Sequence, residues 1–129
     1  MIDNFEGGAV LKNLTPHEIN IYIRRGVCEE VVSIPPSFPT PRVTEVSSPL
    51  GTIQGAALVQ STYGPVVDLP PRKGGVWLIV SAMVAGAASD RTDLVSPGDL
   101  VRDERGRIVG CRALIAGAGM IRVAGAPCV

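Results

Sequence analysis

DRTDLVSPGDLVRDERGRIVGCRAL, running from Asp90 to Leu114, is the stretch that decides the fold. Leu100–Asp103 and Arg107–Leu114 are β-prone arms around Asp103-Glu104-Arg105-Gly106. Gly106 can take the left-handed conformation of a bulged three-residue loop, so the segment predicts an antiparallel hairpin. Side chains alternate across a strand, which sets Arg107, Val109 and Cys111 on one face and Ile108, Gly110 and Arg112 on the other. Just upstream, Asp93–Val95 reads as a short strand and Ser96-Pro97-Gly98 as a turn. Five of the chain's twelve basic residues fall in this stretch, all of them arginine. A guanidinium on a stiff frame can grip phosphate or carboxylate bidentately.

Working outward, the residues before it supply the partner elements. Val76–Val80 is a continuous apolar run, as in a central strand buried on both faces. It leads into SAMVAGAAS, where Ser81 can cap a helix of roughly two turns that Gly86 weakens. Ala9–Leu14 and Glu18–Arg24 carry strand spacing, with Ile19, Ile21 and Ile23 alternating against Asn20, Tyr22 and Arg24. Gly26 ends that strand, and Val31–Ile34 is another. The prolines of Pro35–Pro41 predict an extended edge or loop. Between Arg42 and Val67, three short β-prone pieces are expected, divided by turns at Pro49-Leu50-Gly51 and Tyr63-Gly64-Pro65. LPPRKGG, Leu69–Gly75, is a loop. Ile115–Val129 contains a strand-like MIRVA. The fold class is therefore α+β, a mainly antiparallel β-sheet with one short helix, in a single compact domain of residues 1–129 whose first eight residues are a loose lead-in.

Composition limits the function. Apolar residues make up 46% of the 129 and charged residues 19%, which supports a packed core; aromatics are only 4%, so few rings can stack a base. Twelve cationic and twelve anionic side chains cancel. That balance argues against coating long nucleic acid, leaves a small anionic ligand open and lets copies approach one another, so a homo-oligomer is expected. Cys28, Cys111 and Cys128 have no metal-ligand or disulfide spacing, which fits a reducing cytoplasm. No signal peptide or apolar membrane span is read. Neither a dinucleotide fingerprint nor a P-loop is present, Gly117 and Gly119 giving only GxG, so no cofactor or metal is expected.

The candidate ligand-binding residues are Thr15, His17, Ser81, Arg91, Arg102 and Arg107. The arginines could clamp an anion, or could pair with Asp90, Asp93, Asp99, Asp103 and Glu104 beside them. His17, the only histidine, could contact a ligand or act as a base; alternatively, Thr15 caps a turn there. Ser81 stands where helix-start N–H groups can face an anion, or simply caps the helix. Cys111 could be a nucleophile between Arg107 and Arg112, or an inert buried thiol. No residue is assigned a catalytic role.

NLTPHEINIY (Asn13–Tyr22), IVSAMVA (Ile79–Ala85) and the Asp90–Leu114 stretch resemble a family of small, largely uncharacterised proteins of bacteriophages and mobile-element-rich bacteria. The likeness covers roughly a third of the chain. It implies that Thr15, His17, Ser81, Arg91, Asp93, Arg102 and Arg107 are motif positions, but implies no activity. With that setting, the expectation is a non-catalytic protein that binds an anionic small molecule. A nucleotide second messenger, either a cyclic nucleotide or an ADP-ribose derivative, sequestered in the host cytoplasm as phage counter-defence, is the specific form. The alternatives are a structural or interaction protein of a phage or mobile element, and a small phosphodiesterase or other hydrolase using His17, Ser81 or Cys111.

Overall fold

A computed structural model describes residues 9–117. In chain order the elements are β1 (Val10–Asn13), β2 (Ile19–Arg25), β3 (Cys28–Ile34), β4 (Arg42–Ile53), β5 (Ala56–Val67), β6 (Val76–Ile79), α1 (Ala82–Ala87), β7 (Leu94–Arg102) and β8 (Ile108–Ala116). The fold is α+β with one short helix and mostly antiparallel pairing, as the sequence predicts. The larger sheet is nevertheless mixed. Its order is β1-β6-β7-β8-β2-β3, and β1–β6, β6–β7 and β2–β8 run parallel.

That sheet curls on itself. Leu11, Ile19, Ile21, Ile23, Ile34, Trp77, Ile79, Val95, Cys111, Leu114 and Ala116 form one apolar cluster to which all six strands contribute. A flat sheet of six strands would span roughly 25 Å at the usual strand spacing, too far for its edges to share a core. The edges meet at Asn13 and Pro36, just beyond β3, which form a parallel bridge, and the Ser37 N–H donates to the Asn13 carbonyl at 2.6 Å. The proline-rich segment is therefore a wrapper that joins the last strand to the first.

Asn13 secures this junction. Its side chain is fully buried. Nδ2 donates to the carbonyls of His17 (2.7 Å) and Ile34 (3.0 Å), while Oδ1 accepts from Thr15 N–H (2.9 Å) and Thr15 Oγ1 (2.7 Å). One amide thus fastens the end of β1, the 15–17 turn and the end of β3, and leaves no buried polar atom of its own unpaired.

A second core lies on the outer face. Leu14, Leu78, Val80 and Leu94 pack under Val84 and Ala85 of α1 and its C-cap Ala88, joined by Val43 and Val66 from the base of β4 and β5. The run Val76–Val80 faces both cores, which explains its unbroken apolar character. Ser81 caps α1 as read, its Oγ accepting from Val84 N–H at 3.2 Å.

Two local expectations are corrected. Ser96-Pro97-Gly98 is not a turn but the middle of β7, with Pro97 opposite Leu114 and Gly98 opposite Ala113. β6 pairs β7 only through Leu94 and Val95, so Pro97 sits where that side of β7 is open and its missing N–H costs no ladder bond. Likewise, Pro49-Leu50-Gly51 and Tyr63-Gly64-Pro65 lie within two twelve-residue strands that form a single long ribbon. The irregularities fall at register shifts between Val43 and Glu45 and between Pro49 and Gly51. The real turn is Gln54-Gly55, with φ of 49° and 84°, a two-residue hairpin loop of the kind that matches strand twist. Gly106 has the left-handed φ of 80° expected of it. The strand expected at Met120–Ala124, and Gly119 and Cys128, lie outside the described residues, as does the lead-in.

Candidate functional site

The five arginines of the Asp90–Leu114 stretch do not converge. Arg107 Nε donates to Asp103 Oδ2 at 2.9 Å, and Arg102 Nη1 to the Gly106 carbonyl at 2.8 Å, so both brace the hairpin loop. Arg112 Nε donates to Glu29 Oε2 at 2.9 Å and its guanidinium lies 5.7 Å from the Tyr22 ring centre. Arg91 makes a bidentate pair with Asp93, at 3.0 and 2.8 Å, with both side chains largely out of solvent. Arg105 contributes its backbone N–H to Asp103 Oδ1 at 2.9 Å. The Asp103 carboxyl is held below its ordinary range, first by the Arg107 N–H, which outweighs the opposing desolvation, and further by the Arg105 N–H and the Arg107 side chain. Glu29 is lowered chiefly by its hydrogen bond from Arg112.

Thr15 and His17 stay together: Thr15 Oγ1 is 3.0 Å from the His17 carbonyl, within the turn that Asn13 holds. His17 lines a groove of about 480 Å³ with Asn20, Pro97, Leu100, Ile108 and Cys111 among its walls. The groove opens because β2 and β8 share only the pair Ile21–Cys111. Below it, Asn20 Nδ2 reaches across to the Val109 carbonyl at 3.1 Å. Among the described residues its lining holds no arginine or lysine. Cys111 is buried, and burial pushes its thiol up, the reverse of what activates a nucleophile. Ser81 lies apart on α1, with its oxygen engaged by the cap.

Uncompensated positive charge collects elsewhere. A pocket of about 360 Å³ is lined by Lys12, Pro70, Pro71, Arg72, Lys73, Val76, Leu78 and Asp93. Three adjacent strands build it. Lys12 on β1 stands opposite Leu78 on β6, and Leu78 N–H donates to the Asp93 carbonyl at the entry to β7 (2.8 Å). The loop before β6 is fixed by Val76 N–H donating to the Lys73 carbonyl (3.1 Å) and by Val10 N–H donating to Gly75 (2.8 Å), while Pro70-Pro71 stiffens its approach. Among the described residues, Lys12, Arg72 and Lys73 form no ion pair, and the carboxylate on the pocket wall is already neutralised by Arg91. The local field is therefore positive in a chain of zero net charge.

Of the six sequence candidates, His17 alone lines either cavity, and Arg91 borders the cationic pocket through Asp93. Lys12, Arg72 and Lys73 were not among them. Arg72-Lys73 behind two prolines was the visible signal, but Lys12 lies sixty residues away and joins them only through the parallel β1–β6 pairing. Among the described residues no helix is long and apolar enough to cross a membrane, and no group of three or more His, Cys, Asp or Glu side chains is placed to hold a metal. Comparison with family models, curated proteins and solved structures returned no match, so the functional reading rests on this geometry.

Proposed function

We propose that the chain is a non-catalytic binding protein for a small anionic molecule, and that Lys12, Arg72 and Lys73 hold its phosphate or carboxylate groups. The observation that carries this reading is that, among the described residues, one pocket carries three unpaired cations and its only acidic residue is already paired. The volume is at the small end of the range for small-molecule sites. Among the described residues no aromatic side chain lines the pocket, so recognition falls on the anionic groups rather than on a stacked base. Exposed cations are screened by salt, and affinity should fall as ionic strength rises. The resemblance to phage-encoded proteins directs the ligand choice toward nucleotide second messengers, cyclic nucleotides or ADP-ribose derivatives, sequestered in counter-defence.

The test is a thermal-shift panel of inorganic pyrophosphate, cyclic mono- and dinucleotides and ADP-ribose derivatives at millimolar concentration, on protein freed of bound small molecules. Ligand that binds the native state alone raises Tm, by the equivalent of about 2.7 kcal/mol at a hundred times Kd. Arg72→Ala with Lys73→Ala should abolish the shift, whereas Arg102→Ala with Arg107→Ala should leave it intact. Absence of a shift with every compound, or a shift indifferent to the 72/73 variant, would refute the reading.

A further inference from the structure

The ribbon of β4 and β5 is the part of the fold that nothing else in the chain explains. At the usual rise per residue its twelve-residue strands reach roughly 40 Å. Among the described residues only its base is anchored, by Val43 and Val66 in the outer core and by the Arg42–Asp68 ion pair. Beyond Val43, both faces are open to solvent: Val46, Leu50, Ile53, Val59 and Tyr63 are each more than half exposed. From Val46 to Val67 there is no charged residue. A two-stranded ribbon alone is marginal in water, and three or more strands are needed for independent stability.

The other open sheet edges are blunted by charge or proline, the usual guards against unwanted pairing. Lys12 lies on the short β1, Glu29 and Glu30 lie on β3, and Pro97 and Asp99 lie on the unpaired half of β7. On the ribbon itself, β4 carries Pro49 at its middle. The edge of β5 from Ala56 to Gly64 has neither charge nor proline. It is the one such edge among the described residues.

We infer that β5 pairs with β5 of a second copy of this chain, antiparallel across a two-fold axis, giving a four-stranded sheet β4-β5-β5-β4. A second copy fits because the ribbon beyond Glu45 offers no charge for a charged partner to select, and the chain's zero net charge gives two copies no mutual repulsion. A self-complementary surface closes under two-fold symmetry without leading to fibres. The symmetry imposes a further condition. Side chains alternate faces and paired residues point the same way, so an axis normal to the sheet must pass midway between one residue and its own copy, which pair with each other.

Sedimentation velocity from 1 to 100 μM tests the assembly. The wild-type chain should sediment at twice 13.5 kDa or a multiple of it. Val59→Lys with Ser61→Lys, both exposed positions whose change leaves the monomer's core untouched, should sediment as a monomer with an unaltered circular dichroism spectrum. Single cysteines placed from Ala56 to Gly64, in a background of Cys28→Ser and Cys128→Ser, should give one position that forms a disulfide with itself far more readily than its immediate neighbours. A monomeric wild-type chain at 100 μM, a lysine variant that remains associated, or the lack of any self-crosslinking position would each overturn the inference.

Discussion

Replacing Asn13 should open the junction that closes the curled sheet. The Asn13→Ala variant removes four hydrogen bonds of 2.7–3.0 Å and leaves Thr15 N–H and the carbonyls of His17 and Ile34 without that partner. At about 1 kcal/mol for each bond, the loss is about 4 kcal/mol, a large share of the 5–15 kcal/mol typical of a domain. For a chain of this length that is a fall in Tm of about 15 °C. Asn13→Asp sharpens the test, because it keeps the acceptor facing Thr15 but turns a carboxylate oxygen toward two carbonyls, so it should be no better tolerated than alanine. Urea unfolding monitored by circular dichroism reads both variants. A loss below about 1 kcal/mol for alanine, or an aspartate variant as stable as wild type, would refute the argument that this amide locks the first and last strands together.

Gly110→Ala should destabilise the protein by about 1–3 kcal/mol, because a Cβ there would stand 2.5 Å from Tyr22 Cε1 and 2.6 Å from the Asn20 carbonyl oxygen. Gly86→Ala, with nothing within 4 Å of the new Cβ, should stabilise it by about 0.5–1 kcal/mol, and thermal melts of the two variants give the contrast directly. Asp103 and Glu29 both have lowered carboxyl pKa values, so the stability they contribute is present above the ordinary carboxylate range and is lost as pH falls through their lowered folded values. Asp103→Asn with Glu29→Gln should therefore unfold less steeply in acid than wild type, by urea midpoints across the pH series. In a Cys128→Ser background, a thiol reagent should modify the exposed Cys28 rapidly and Cys111 only after denaturation, as peptide mass mapping would report.

Local signals were legible in the sequence where one short segment settled its own conformation. Gly106 with Asp103 specified the hairpin loop, Ser81 the helix start, and the alternation of Ile19, Ile21 and Ile23 the face of β2 that turns inward. The prolines misled because their effect depends on what lies alongside. Pro97 breaks nothing on a half-open strand, and Pro49 and Pro65 are tolerated in a ribbon with two free edges, while the Gln54-Gly55 turn carried a weaker signal than either. The arginines were visible, but their partners were not. Arg112 finds Glu29 from 83 residues away, and only the β2–β8 and β2–β3 pairings bring them together.

The sequence by itself determined that this chain is β-rich with one capped helix, that its core is aliphatic, and that its charges balance. Those properties follow from composition and from spacings shorter than one element. Tertiary structure alone decided that six strands curl until Asn13 meets Pro36, that the β4–β5 ribbon pairs with no other described strand, and that Lys12 shares a pocket with Arg72 and Lys73. The reason is physical: strand order, parallel register and the pairing of charges are set by contacts between residues far apart in the chain, and no local propensity encodes which distant strand will be the neighbour.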